Sequence, residues 1–244
     1  MMINQMFAKL TEMRLGAMEE ELRRQMELPA MSALPFEERF GLVVEAEWSN
    51  RHNAKISRLL RAARLRCPSA CLEDIDFAAE RNLDKALIAR LSDMSWLKEN
   101  RNMFITGPCG VGKTWIASAF GAAACRLGKR VATYRVSRLL ENLRMARSDG
   151  TWGKVLASLK KPDLLILDDF GLDRLDATHS RDFMEITEDR ESAGAIIITA
   201  QLPVSEWHEV FDDATVADAA LDRIVHNSYR IELRGPSRRS RQNP

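Results

Sequence analysis

The sequence predicts an α/β protein, a parallel sheet flanked by helices and built around a phosphate-binding loop, with a small all-helical domain in front. From about residue 100 onward, apolar β-branched runs alternate with helix-patterned stretches. That alternation marks parallel strands buried on both faces. The first such strand runs into a glycine-rich segment followed by a helical pattern. The first 66 residues are rich in Leu, Met, Ala, Glu and Arg and hold no β-rich run, a composition that favours helices.

Composition narrows the class. The chain has 244 residues, a net charge of +1, 45% hydrophobic and 29% charged residues. Those values are globular and exclude wholesale disorder or a collagen-like repeat. A chain this long needs no disulfide or metal staple. No apolar run nears the roughly 18 residues of a membrane span, so no membrane partner is expected. The N-terminus meets charge too early and too often for a signal peptide. Cys67, Cys71, Cys109 and Cys125 fit no CxxC or zinc spacing. They read as free thiols in a reducing cytoplasm. His52, His179, His208 and His226 are scattered and take surface or packing roles.

The elements follow in order. Leu10, Met13 and Ala17 begin a helical stripe. Leu28-Pro29 and Leu34-Pro35 interrupt it, because the residue before proline avoids the helical region. A second helix is expected from Phe36 to Arg66, stopped by Cys67-Pro68. LEDIDF (72–77) is expected to lead into a short strand, and Leu83 to Leu97 to be helical. Strands are expected at 102–106, 130–134, 163–169 and 195–200. Helices are expected at 113–127, 136–147, 151–161 and 178–191, with Gly128 as a C-cap. The domains expected are 1–68, helical; 69–235, the sheet domain; and 236–244, a basic flexible tail.

Residues 51–66 carry Arg51, Lys55, Arg58, Arg61, Arg64 and Arg66 and no acid. On a helix, Arg51, Lys55, Arg58 and Arg66 share one side, beside an apolar stripe of Ile56, Leu59, Leu60 and Ala63. Arg51, Lys55, Arg58, Arg61 and Arg64 are therefore candidates for phosphate contacts on DNA. The plainer alternative is a solvated face, or pairing with Glu37, Glu38, Glu45 and Glu47.

Residues 107–114 read GPCGVGKT and satisfy G-x-x-x-x-G-K-[ST]. Average residue usage produces that pattern by chance in about one chain in a hundred of this length. Gly107, Gly110 and Gly112 let the backbone curl so that successive N–H groups surround an anion. Pro108, Cys109 and Val111 complete the cradle. The helix that starts there adds its dipole. Lys113 supplies a point charge for the β- and γ-phosphates, and Thr114 offers a hydroxyl to a hydrated Mg²⁺.

The run LLILDD (164–169) is the other half of the site. Its apolar part buries a strand, and its carboxylates emerge at the C-terminal end, where parallel sheets bind ligands. Asp168 is the candidate magnesium holder, through water. Asp169 is the candidate base that orients and deprotonates water. With no NKxD base-reading motif, ATP is favoured over GTP.

GPCGVGKT, LLILDDFGL, IIITAQLPVSEWHE and ADAALDRIVHNSYRIELRG together resemble the AAA+ ATPases of the DnaC/IstB group. The segment EERFGLVVEAEWSNRHNAKISRLLRAARLR is similar to the N-terminal region of the IstB-like branch, the ATP-binding helpers of insertion sequences. The resemblance spans essentially the whole chain. It implies an ATP- and Mg²⁺-dependent ATPase that forms a homo-oligomer on duplex DNA and assists a partner transposase in target selection. It implies a γ-phosphate sensor at Thr199 or Gln201 and an arginine finger, Arg223, acting on the adjacent subunit. Taken alone, Arg223 reads as a surface ion pair with Asp222 or Asp218. Arg239 falls near a second sensor position. Asp169 stands where AAA+ proteins commonly have glutamate, although an aspartate pair is usual in this subgroup. No base-reading module is recognisable, so DNA contact should be to backbone and shape. Two other readings fit the same motifs: a DnaC-type replicative helicase loader, and a nucleotide switch or scaffold with negligible hydrolysis.

Overall fold

The computed structural model describes residues 2–77, 81–226 and 228–238. Of the tail expected at 236–244, Arg239 and the residues after it lie outside the described residues, whereas Arg238 is held in place by its N–H donating to the Gly110 carbonyl rather than flexible. The chain divides into two compact units, Met1–Arg58 and Leu59–Pro244. The division falls before the expected boundary at residue 68. Its cause is packing: Leu59, Leu60, Ala63 and Leu65 belong to the hydrophobic core of the second unit.

The first unit holds α1 (Met2–Glu12), α2 (Gly16–Glu27), a 3-10 turn over Pro29–Ala33 and most of α3 (Phe36–Ala63). Phe7 and Val43 are its buried apolar residues, with Gln25 and Glu47 buried beside them. Buried polar groups need partners, and both have them. Gln25 donates to Glu21 and to the Arg39 carbonyl. Glu47 accepts from the Ala17 and Met18 N–H groups and pairs with Arg51. Phe36, Phe40, Val44 and Trp48 are exposed at every fourth position of α3.

The second unit is built on β1 (Asn102–Thr106), β2 (Val131–Arg135), β3 (Leu164–Phe170), β4 (Ala195–Ala200) and β5 (Ser228–Glu232). All pair in parallel, in the order β2-β3-β4-β1-β5. Strand periodicity sends alternate side chains to opposite faces. Met103 and Ile105 of β1 enter one core with Ile166 and Ile197. Phe104 enters the other with Leu165, Leu167 and Ile198. Around the sheet lie α4 (Lys85–Leu91), α5 (Ser95–Lys98), α6 (Lys113–Arg126), α7 (Val136–Ser148), α8 (Trp152–Lys160), α9 (Ala177–Arg190) and α10 (Ala214–Val225). Asp84, Asp176 and Asp213 cap α4, α9 and α10 by accepting N–H groups of the first turn.

Some elements differ from the sequence expectation. Residues 72–74 form a 3-10 turn, not the approach to a strand. The helical pattern at 83–97 is two short helices, broken at Met94, whose φ is 60°. α3 ends at Ala63 rather than Arg66, and Arg64 turns left-handed with φ 50°. Arg66 therefore does not share a helix face with Arg51, Lys55 and Arg58. β5 is a strand that the sequence does not announce, since SYRIE reads as a short, mostly polar run.

Candidate active site

Three parallel strands deliver the site from their C-terminal ends. β1 ends in the loop 107–112, and α6 starts at Lys113. Gly107, Gly110 and Gly112 have φ of 138°, 83° and 99°, a region that favours glycine. Space forbids replacement as well. A Cβ on Gly107 would lie 2.2 Å from the Leu233 carbonyl oxygen, and one on Gly110 would lie 2.1 Å from Ser237 Oγ. Lys113 is buried, and its Nζ donates to the carbonyls of Gly107 at 2.6 Å and Pro108 at 2.7 Å. The loop thus folds around its own lysine.

β3 presents the carboxylates. Asp168 is 1% exposed. Its Oδ1 accepts from Thr114 Oγ1 at 2.9 Å and Thr199 Oγ1 at 2.6 Å. Asp169 has φ 63°, and the β3–β4 register shifts between Leu167 and Phe170. A bulge re-aims the next side chain, and a left-handed non-glycine residue costs about 1–2 kcal/mol. The Asp169 N–H donates to Thr199 Oγ1 at 3.0 Å. β4 lies between β1 and β3, so its Thr199 falls beside the carboxylate strand. Thr199 is fully buried, whereas Gln201, just past β4, lines the cleft.

That cleft encloses about 600 Å³ and is lined by Arg66, Lys113, Thr114, Asp169, Gln201 and Arg238, among others. Four arginines join the site that sequence reasoning does not place there. Arg66 Nη1 lies 3.1 Å from Asp168 Oδ2 and 3.4 Å from Asp169 Oδ2. Arg135 Nε lies 3.2 Å from Asp169 Oδ2. Arg81 is buried behind the loop and donates to the Asp76 and Val111 carbonyls; burial holds its guanidinium below the usual arginine range. Arg238 pairs with Asp76, and its N–H donates to the Gly110 carbonyl at 2.9 Å. Arg135 alone carries a usable signal: it ends a parallel strand one position before a helix, and such ends cluster at the site. The others come from connecting segments.

The donor set fits a divalent cation. Asp168 Oδ2 is buried without a hydrogen bond, although Arg66 is near it. A buried carboxylate oxygen with no hydrogen bond, beside a threonine hydroxyl, is what a hard, oxygen-seeking cation requires. The loop and Lys113 can take the phosphates that such a cation accompanies.

Arg223 is not brought to this cleft. It sits on α10, donates to the Ala219 carbonyl, and lies 3.5 Å from Glu188 and 3.9 Å from Glu191. It does not make the plain pairing with Asp222 or Asp218, since these face His226 and His208. It lines a separate 360 Å³ cleft with Asn100, Asn102 and Arg190. Arg51, Lys55, Arg58, Arg61 and Arg64 are all exposed. Arg51 pairs with Glu47 and donates to the Arg14 carbonyl, so for that residue the acidic pairing, the alternative to DNA contact, is realised. The four cysteines are free, with Cys109 exposed at the loop. Among the described residues no helix is long and apolar enough to cross a membrane.

A five-stranded parallel sheet, a glycine loop closing on a lysine, and a carboxylate pair two strands away make up the P-loop fold of the AAA+ kind. The crystal structure of the DnaC helicase loader matches with a TM-score of 0.57 at 20% identity, over 68% of this chain and 97% of that one. The profile of the IstB-like ATP binding proteins matches residues 8–244, and the chain belongs to that family. The insertion-sequence ATP-binding protein y4pL of Sinorhizobium fredii is 44% identical over 96% of this chain and 95% of its own length. The insertion-sequence IS1162 ATP-binding protein of Pseudomonas fluorescens is 43% identical over 84% of this chain and 89% of its own.

Proposed function

We propose that this protein is an Mg²⁺-dependent ATPase that assembles on duplex DNA with ATP and assists the transposase of an insertion sequence. The observation that carries the ATPase reading is the hydrogen-bonded set Thr114–Asp168–Thr199 beside the lysine-closed loop. The insertion-sequence reading rests on relatives at 43–44% identity that are named for it. The helicase loader shares the fold at 20% identity, which carries no function.

In this reading the N–H groups of the loop and Lys113 bind the β- and γ-phosphates. Thr114 and Asp168 would hold Mg²⁺, which would supply positive charge to neutralise the phosphates. Asp169, turned outward by the bulge, accepts a proton as water oxygen attacks the γ-phosphorus and the bond to ADP breaks. Thr199 holds the Asp168 carboxylate and the Asp169 backbone, and Gln201 faces the cleft as the group that senses the γ-phosphate. Arg223 serves the neighbouring subunit and leaves Glu188 and Glu191 when it engages. Lys55, Arg58, Arg61 and Arg64 contact DNA phosphates, with Arg51 beside them held by Glu47.

A mobility shift on duplex DNA at low salt, with and without ATP, tests the assembly. ATP-dependent retardation is expected, together with release of inorganic phosphate. No retardation of duplex overturns the DNA part. Retardation without phosphate release leaves a nucleotide switch in place of an ATPase.

A further inference from the structure

Asp168 and Asp169 are adjacent carboxylates, one fully buried. Burying a charge is costly unless a counter-charge accompanies it. In this structure the counter-charges are two arginines. Arg135 reaches Asp169 alone. Arg66 spans both carboxylates, at 3.1 Å and 3.4 Å, with a side chain 43% exposed.

The path of the chain delivers Arg66 there. α3 ends at the buried Ala63, and Arg64 takes φ 50°. Leu65 then packs against α6 so closely that a Cβ on Gly121 would meet Leu65 Cδ2 at 2.7 Å. The Cys67 N–H donates to Ser118 Oγ at 3.3 Å, one turn of α6 beyond Thr114. Anchors on both sides thus hold Arg66 against the carboxylates.

Arg66 approaches Asp168 Oδ2, the buried oxygen that lacks a hydrogen bond. A divalent cation held by Asp168 and Thr114 would need that same carboxylate. We infer that Arg66 is a positioning residue that stands in for the metal at the carboxylate pair and must withdraw before a divalent cation binds there. It preserves the charge balance of the site without nucleotide and raises the cation concentration at which the site loads. The inference rests on the nucleotide-site reading above.

The test is Mn²⁺ binding to the full chain with ADP present, read as free Mn²⁺ by electron paramagnetic resonance. ADP affinity in EDTA is measured alongside by calorimetry. In Arg66→Gln, Mn²⁺ should bind about fivefold more tightly, the factor expected from losing a part-exposed ion pair. Metal-free ADP affinity is the reference against which that gain is read, and Arg66→Lys, which keeps the charge, should resemble the wild type. Unchanged or weaker Mn²⁺ binding in Arg66→Gln overturns the inference while leaving the nucleotide site intact. No binding of Mn²⁺ with ADP by wild-type protein overturns both. A second readout needs no variant: phenylglyoxal should label Arg66 of the wild type faster with ADP and Mn²⁺ than with ADP and EDTA. Equal or slower labelling contradicts withdrawal.

Discussion

The Thr199 hydroxyl donates to Asp168 Oδ1 at 2.6 Å, and the same hydroxyl oxygen accepts the N–H of Asp169 at 3.0 Å. One buried side chain thereby fixes both carboxylate residues. Thr199→Val keeps the shape and removes the hydroxyl. It leaves the Asp169 N–H without its partner and Asp168 Oδ1 with only Thr114. The expected loss is about 1–3 kcal/mol of stability, read as a lower midpoint in thermal unfolding. Phosphate release should fall with it. A variant as stable as wild type would mean that the pair orients itself.

Asp169 occupies a left-handed bulge that aims its carboxylate into the cleft. Asp169→Asn should keep nucleotide affinity near wild type and slow turnover by about 10²–10⁴, the usual worth of a positioned base. Calorimetry and a steady-state phosphate assay separate the two effects. Normal turnover would place the base elsewhere.

Much of the fold and site is legible in the sequence, for reasons that differ between elements. β1, β3 and β4 are buried on both faces, so apolar residues dominate their runs, which stand out. The loop is legible because only glycine satisfies its backbone and only lysine its charge. β5 escapes sequence reading because it pairs on one side only, with β1, and has few apolar positions to show. Arg66 reads in sequence as part of a basic helix. Nothing local announces that α3 stops at Ala63 and that Arg64 turns left-handed. Its partners, Asp168 and Asp169, lie about a hundred residues away, and such pairings leave no periodic trace.

The exposed basic residues predict a salt-dependent DNA contact. Arg58→Ala with Arg61→Ala should weaken duplex binding and flatten the plot of log K against log salt. The slope should shrink by about 0.9 for each phosphate that the variant no longer neutralises. Mobility shifts across a salt series measure it. An unaltered slope would assign these arginines another role.

Cysteine reactivity offers a check on burial and on the loop together. Burial pushes the Cys125 thiol up to about 11, so at pH 8 it is almost wholly protonated and unreactive. Burial also raises Cys67, ahead of an opposing hydrogen bond with Ser118. Mass-spectrometric mapping after iodoacetamide at pH 8 should find Cys109 modified and Cys125 intact until denaturant is added. Mg-ATP should protect Cys109, which lines the cleft. Rapid labelling of Cys125 in the folded chain would contradict its place in the core.

Closure of the loop and Lys113 around phosphate underlies every step proposed for this site, and calorimetry of folded protein with magnesium and ATP tests it most directly. Wild type should give saturable heat, and Lys113→Ala should bind about ten- to a hundredfold more weakly, the worth of a charge-assisted hydrogen bond. No heat from wild type at millimolar ATP, or equal affinity in the two proteins, would contradict it.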